Sequence, residues 1–171
     1  DISLILTVPS VRYRFYLSED AELYVDNPAH YPDPADISKI EEPFIKASIL
    51  IPERYMGAVM TLCTERRGEN TSYHYPTPGR IEFTCELPLA EAIYDFYDRL
   101  KSITQGYGSF DYELIEYRTS DLIKLDILVN GEPVDALPQL VHRSNARMRG
   151  LNACERLKEE IPRQMFKIAI Q

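Results

Sequence analysis

Pro88-Leu-Ala-Glu-Ala-Ile-Tyr-Asp-Phe-Tyr-Asp-Arg-Leu-Lys-Ser-Ile-Thr-Gln-Gly-Tyr-Gly-Ser-Phe110 is the stretch around which the chain is organised. Leu89, Ile93, Phe96, Leu100 and Ile103 recur at steps of four and three, which lines one face of an α-helix. Glu91, Asp95, Asp98, Arg99, Lys101 and Ser102 fall on the other face. Pro88 suits the first helical position, where its missing N–H removes a donor that is unpaired anyway. Gly106 stands where a C-terminal cap needs φ > 0. The pattern predicts one amphipathic helix of about 16 residues laid on a sheet.

Working outward, the strands of that sheet lie on both sides. Phe44–Ile51 reads as a strand, and Pro52 opens a helix with an apolar stripe of Met56, Val59, Met60 and Cys63. That helix ends at Arg66-Arg67-Gly68. Strands are expected over 70–75 and 80–87, split by Pro76-Thr-Pro-Gly79, and over 109–117 after the second helix. The order is β-α-β-β-α-β, and each half repeats a proline, a helix and a glycine. That order predicts an α+β, ferredoxin-like split βαβ fold, an antiparallel four-stranded sheet with both helices on one face.

Flanking segments extend this unit. Leu4–Val8 reads as a strand, as does the alternation of Val11, Tyr13 and Phe15 with Arg12, Arg14 and Tyr16. Ser18–Asp20 is a turn from which Glu22–Val25 returns as a hairpin partner. Four prolines within Asn27–Pro43 predict an irregular connector. Toward the C-terminus, Asn130-Gly131 between apolar runs signals a type I′ hairpin. Ser144 or Asn145 is expected to cap a helix burying Leu151, Cys154, Leu157 and Ile161, ended by Pro162. Phe166–Ile170 reads as a final strand. The chain opens with Asp inside a strand-like run and stops without a polar tail, so a fragment of a longer protein is expected.

Composition excludes several classes. No run of about 18 apolar residues is present, so no transmembrane helix is expected. Cys63, Cys85 and Cys154 lack C-x-x-C spacing and fit buried thiols in a reducing compartment. The net charge of −8 argues against a generic nucleic-acid coat. The charge is uneven, however: residues 138–171 carry +4 and the remainder −12, a basic surface on an acidic module.

No catalytic constellation is present. His30, His74 and His142 are scattered without metal-ligand spacing, and there is no Walker sequence to cradle a nucleoside triphosphate. Gly106-Tyr107-Gly108-Ser109-Phe110 fits the aromatic motif of RNA-recognition modules poorly and reads as a tight helix-to-strand turn. Arg66 and Arg67 have two readings, a favourable charge at a helix C-terminus or a fork for phosphate oxygens. Arg143, Arg147 and Arg149 form a second basic cluster beside His142, with no acidic residue from Pro138 to Asn152. Lys101 and Tyr107 complete the candidates for RNA or ribosome contact.

Several motifs resemble a known family. Glu42-Pro43, Ile51-Pro-Glu-Arg-Tyr-Met-Gly57, Arg66-Arg67-Gly68, Glu86-Leu-Pro-Leu-Ala-Glu91 and Asp98-Arg-Leu-Lys-Ser-Ile-Thr-Gln-Gly106 resemble the elongation factor G C-terminal domain of ribosome-binding translational GTPases. Leu6-Thr-Val-Pro-Ser-Val11, Val25-Asp-Asn-Pro28, Ser109-Phe-Asp-Tyr-Glu113, Asp126-Ile-Leu-Val-Asn-Gly131, Val134-Asp-Ala-Leu137, Val141-His-Arg143 and Ile161-Pro-Arg-Gln164 are similar to the elongation factor 4 (LepA) family. The resemblance implies that 1–42 ends a domain III with its connector, 43–120 is a domain V, and 121–171 begins a family-specific C-terminal domain. It also implies a parent GTPase that uses GTP and Mg in a G domain outside this sequence, so this chain by itself is not expected to be an enzyme and needs no cofactor. The implied partners are the large ribosomal subunit near the GTPase centre, rRNA, tRNA and the chain's own N-terminal domains. The implied role is backward movement of tRNA and translational fidelity, with a part in ribosome assembly as a further implied role. The implied location is the cytoplasm, with peripheral attachment to the bacterial inner membrane. The family continues into a lysine-rich tail, which this sequence lacks. The alternative is a ferredoxin-like ligand-sensing or protein-interaction module that buries its open sheet face.

Overall fold

The computed structural model describes residues 11–18, 21–27, 30–93, 95–133 and 139–160. They divide into a central unit, Glu42–Arg118 with Val11, and a flanking unit, Arg12–Glu41 with the residues from Thr119 onward.

The flanking unit begins as its alternation predicts. Strand β1 (Tyr13–Leu17) buries Tyr13 and Phe15 and leaves Arg14, Tyr16 and Leu17 half-exposed. It pairs antiparallel with β2 (Glu22–Val25), Tyr13 opposite Val25 and Tyr16 opposite Glu22. It also pairs with the start of β3 (Ile37–Pro52), Arg14 opposite Glu41. This corrects the expected connector over Asn27–Pro43. Pro34–Asp36 forms a 3-10 turn, capped by the Asp33 carboxylate, which accepts from the Ala35 N–H at 2.9 Å. From Ile37 the chain is already extended and paired. Pro43 is tolerated inside β3 because it falls between the residues paired with β1 and those paired, from Phe44 on, with the strand Arg80–Pro88.

In the central unit β3 leads into α1 (Met56–Glu65), β4 (Glu69–Thr77), β5 (Arg80–Pro88), α2 (Leu89–Ile93), α3 (Phe96–Ile103) and β6 (Ser109–Thr119). β3 and β5 pair antiparallel from Phe44 opposite Pro88 to Pro52 opposite Arg80. β4 pairs with β5, and β6 pairs with β3, so the order β6-β3-β5-β4 is that of the split βαβ fold. Ile45, Ala47, Ile49 and Ile51 of β3 share one buried cluster with Ile81, Phe83, Cys85 and Leu87 of β5. Val59, Leu62 and Cys63 of α1 and Ala92, Phe96 and Leu100 of α2 and α3 belong to the same cluster. Strand side chains alternate between faces, so both helical segments cover one face.

Two helix details depart from the periodicity. Met60 is exposed and Leu62 is buried in its place, beside Val59 and Cys63, and a 3-10 turn over Glu53–Tyr55 delays the start of α1 to Met56. The single helix expected from Pro88 is two: Pro88 closes β5, and Asp95 at φ 49° lies in the left-handed region between α2 and α3.

Both helical segments end alike. The Gly68 N–H donates to the Cys63 carbonyl at 2.8 Å and the Arg67 N–H to the Thr64 carbonyl at 3.2 Å. The Gly106 N–H donates to the Lys101 carbonyl at 2.8 Å and the Gln105 N–H to the Ser102 carbonyl at 3.3 Å. These are Schellman ends, with Arg67 (φ 59°) and Gln105 (φ 51°) in the position that glycine usually fills. Gly68 is required for space instead, since a Cβ there would lie 2.6 Å from the Cys85 Sγ and 2.7 Å from the Cys63 carbonyl oxygen.

The flanking unit resumes with β7 (Leu122–Leu125), β8 (Leu128–Val129), β9 (Glu132–Pro133), β10 (Gln139–His142) and α4 (Ala146–Glu160). Asn130 (φ 54°) and Gly131 (φ 82°) make the expected hairpin turn, but its arms, β8 and β9, are two residues each. β7 pairs antiparallel with β10 instead. A 3-10 turn over Arg143–Asn145 precedes α4, and its cap is His142, whose Nδ1 accepts from the Ser144 N–H at 3.3 Å. Cys154 and Leu157 of the expected stripe are half-buried, whereas Leu151 is exposed and Arg149 is buried. Leu4–Val8, Ile161, Pro162 and Phe166–Ile170 lie outside the described residues. No described helix is long and apolar enough to cross a membrane.

Replacing Gly68 by Ala forces backbone or sulfur to move, and is expected to destabilise the chain by about 1–3 kcal/mol in urea unfolding. Gly57→Ala, with nothing within 4 Å of the new Cβ, is expected to leave stability unchanged or raise it by up to ~1 kcal/mol.

Candidate functional site

The cations that the sequence singles out fall into three settings. The first is internal. Arg67 forks onto Glu42, at 2.7 and 3.3 Å, and its Nε lies 3.5 Å from Glu91. Arg66 donates to the Asp95 carboxylate and stands 3.8 Å from Glu91. Glu42 is 1% exposed and Glu91 4%. The left-handed residue Asp95, which breaks the second helical segment, thus carries the carboxylate that Arg66 grips. The forks read as phosphate grips or helix-end charges are filled by carboxylates of the chain itself. These partners lie 24 to 29 residues away in sequence, which neither local reading could show.

The second setting is the start of α4. Arg143 is 66% exposed at its side chain and bonds Asp121 at 2.9 Å, a pair open to solvent on both sides. Such a pair is worth only ~0.2–1 kcal/mol, so a competing anion can take Arg143. Arg147 is exposed in the first turn of α4, where there is no acidic residue. A cation there opposes the helix dipole, and a bound anion relieves that conflict. Arg149 is buried and does not share this surface.

The third setting is the loop after α3. The Tyr107 N–H donates to the Thr104 carbonyl at 3.0 Å, and the Gly108 N–H to the Thr104 Oγ1 at 2.9 Å. Thr104 is fully buried, and a Cβ on Gly108 would lie 2.8 Å from its Oγ1. Tyr107 between them is 60% exposed. The Arg54 guanidinium lies 5.3 Å from the Tyr107 ring centroid and 4.7 Å from that of Tyr55. The Lys101 Nζ reaches the Gly106 carbonyl at 3.4 Å. Lys101 and Tyr107 are therefore neighbours, and Arg54, absent from the sequence-derived set, joins them. Its signal was the adjacent Arg54-Tyr55 pair, which only the fold brings against Tyr107.

Arg118 was also missed. It bonds Glu86 at 2.9 Å, Glu116 at 2.7 Å and Glu69 at 3.2 Å, and lies 4.6 Å from the Phe44 ring centroid. The Asn70 amide and the Arg118 guanidinium both donate to Glu86 and hold its carboxyl below the usual glutamate range. Hydrogen bonding to Cys85, and after it burial, push the Cys63 thiol up, so Cys63 stays protonated. Among the described residues no group of three or more His, Cys, Asp or Glu could hold a metal ion.

Arg67→Ala leaves the buried Glu42 carboxylate without its counter-charge and is expected to cost about 3–5 kcal/mol in chemical denaturation, and Arg66→Ala is expected to cost less, because Asp95 is partly open to water and Glu91 keeps Arg67. Arg147→Ala is expected to change stability by no more than about 0.5 kcal/mol. Asn70→Ala is expected to raise the Glu86 carboxyl toward its ordinary range in an NMR titration. The stabilisation that Glu86 contributes is present above its unfolded pKa and disappears as pH falls through the lowered folded value.

Comparison with known proteins accords with this architecture. The model for the elongation factor G C-terminus matches residues 39–128, and that for the GTP-binding protein LepA C-terminus matches residues 129–171. The chain is 80% identical over its whole length to elongation factor 4 of Desulfotalea psychrophila, and 69% identical to elongation factor 4 of Syntrophus aciditrophicus. It spans 29% of the length of each of these relatives. The matched models and the identity to these relatives leave one assignment: the chain belongs to the elongation factor G C-terminus family, in its elongation factor 4 (LepA) branch.

Proposed function

We propose that this chain is the ribosome-docking part of a translational GTPase, held to the large subunit through phosphates of rRNA. The observation that carries the reading is the start of α4. There Arg143 and Arg147 face solvent in a helical turn without acidic residues, on a chain whose net charge is −8. Cations gathered on one surface of an acidic protein indicate a specific anionic partner. Arg66 and Arg67 serve docking indirectly, by tying α1 to the segment that leads into the Tyr107 loop. In the whole protein a separate G domain would bind GTP and Mg, and docking of this region would serve the backward movement of tRNA in the cytoplasm. Bilayer attachment finds no support in any described segment.

The protein-interaction alternative needs an apolar open face. Opposite the buried residues, β3 and β5 present Lys46, Ser48, Leu50, Glu82, Thr84 and Glu86, a largely polar set. Such a face does not favour a permanent partner.

The test is co-sedimentation of the chain with large ribosomal subunits across a salt series. Affinity is expected to fall steeply between about 50 and 200 mM salt. Arg143→Gln with Arg147→Gln is expected to flatten the log–log slope by roughly 0.7–0.9 for each phosphate that the arginines no longer neutralise. Salt-independent binding, or a slope unchanged in the double variant, contradicts the reading.

A further inference from the structure

The Tyr107 loop is built in a way that the docking surface at α4 does not explain. An exposed tyrosine on a mobile loop calls for no account. Here the turn is over-determined: Gly106 occupies the left-handed region at φ 84°, and Gly108 abuts a fully buried Thr104 that accepts its N–H. The loop is held rigidly, and what it holds out is a ring 60% open to solvent. Exposed cation–π pairs contribute only ~0.5–1 kcal/mol, so the Arg54 contact does not explain the pedestal as a stability device. Tyr55, beneath Arg54, packs against the central core and anchors the stack from the inside.

The order is therefore a core-anchored ring, a planar guanidinium and an exposed ring, with a lysine ammonium beside the loop. Planar aromatic and guanidinium groups are the surfaces on which unstacked RNA bases settle, and a nearby cation meets the attached phosphate. We propose that Arg54, Tyr107 and Lys101 form a stacking platform for one unpaired RNA base, with Arg54 and Tyr107 extending the stack and Lys101 facing its phosphate. This rests on the docking reading above and names, for a second surface of the same chain, the chemistry that it takes. The platform differs from the α4 surface in kind. It discriminates unpaired from paired nucleotides, whereas phosphate contact does not.

The experiment measures binding of the 171-residue chain to an unstructured fluorescent ribo-oligonucleotide and to an RNA duplex of the same length, by anisotropy, alongside the ribosome co-sedimentation. The single strand is expected to bind more tightly than the duplex. Tyr107→Ala is expected to weaken single-strand binding by roughly 5- to 100-fold, the loss of one base–aromatic stack, without changing its salt slope. Tyr107→Phe, which keeps the ring, is expected to bind like the parent. Equal affinity for strand and duplex, or Tyr107→Ala binding as tightly as the parent, overturns the platform. If ribosome binding and its salt dependence persist in that case, the docking reading stands without it. Conversely, Tyr107-dependent strand binding in a chain that ignores ribosomes upholds the platform and removes the docking reading.

Discussion

The structure depends on one constraint: from Ile45 to Ile51 of β3 and from Ile81 to Leu87 of β5, every second side chain is apolar and must leave water on the same side. Ile45, Ala47, Ile49 and Ile51 stand opposite Leu87, Cys85, Phe83 and Ile81 in an unbroken antiparallel register. A sheet with that much apolar surface on one face is stable only when covered. The two helical segments supply the cover, and right-handed crossovers place both on that face. Gly68 shows how tight the fit is, since the last turn of α1 meets the Cys85 sulfur with no room for a methyl group.

That arrangement sorts the arginines. The C-terminal end of α1 lands beside Glu42 of β3 and Glu91 of α2, so Arg66 and Arg67 are drawn into a nearly buried ionic cluster. Leaving such carboxylates unpaired costs several kcal/mol, far more than a surface contact returns. The cations to which the proposal assigns contact with another molecule lie elsewhere: Arg143 and Arg147 at the start of α4, Arg54 and Lys101 at the Tyr107 loop. In that reading, structural and recognition charge are separated within one acidic chain.

Much of the fold was legible in the sequence because it follows from local periodicity. The alternation of Tyr13 and Phe15, the Asn130-Gly131 turn and the paired proline–helix–glycine halves each specify an element without help from the rest. The departures share a cause, which is that distant partners decide them. Asp95 breaks a helix that Leu89, Phe96 and Leu100 would continue, and the carboxylate that it contributes grips an arginine 29 residues away. Pro43 reads as an interruption until its place between two pairing partners is known. The candidate site was legible in part: Tyr107 and Lys101 are local, but Arg54 joins them only through tertiary packing.

In the proposed reading, binding falls to the outward cations and Tyr107, while the carboxylates around Arg66 and Arg67 tie those two arginines into the fold. NMR of the isotope-labelled chain, titrated with fragments of large-subunit rRNA and observed at arginine Nε–Hε and tyrosine ring signals, tests this division directly. Early, saturable shifts at Arg54, Tyr107, Arg143 and Arg147, with Arg66 and Arg67 unmoved, are the predicted result. Shifts led by Arg66 and Arg67, with the outward groups silent, would contradict it.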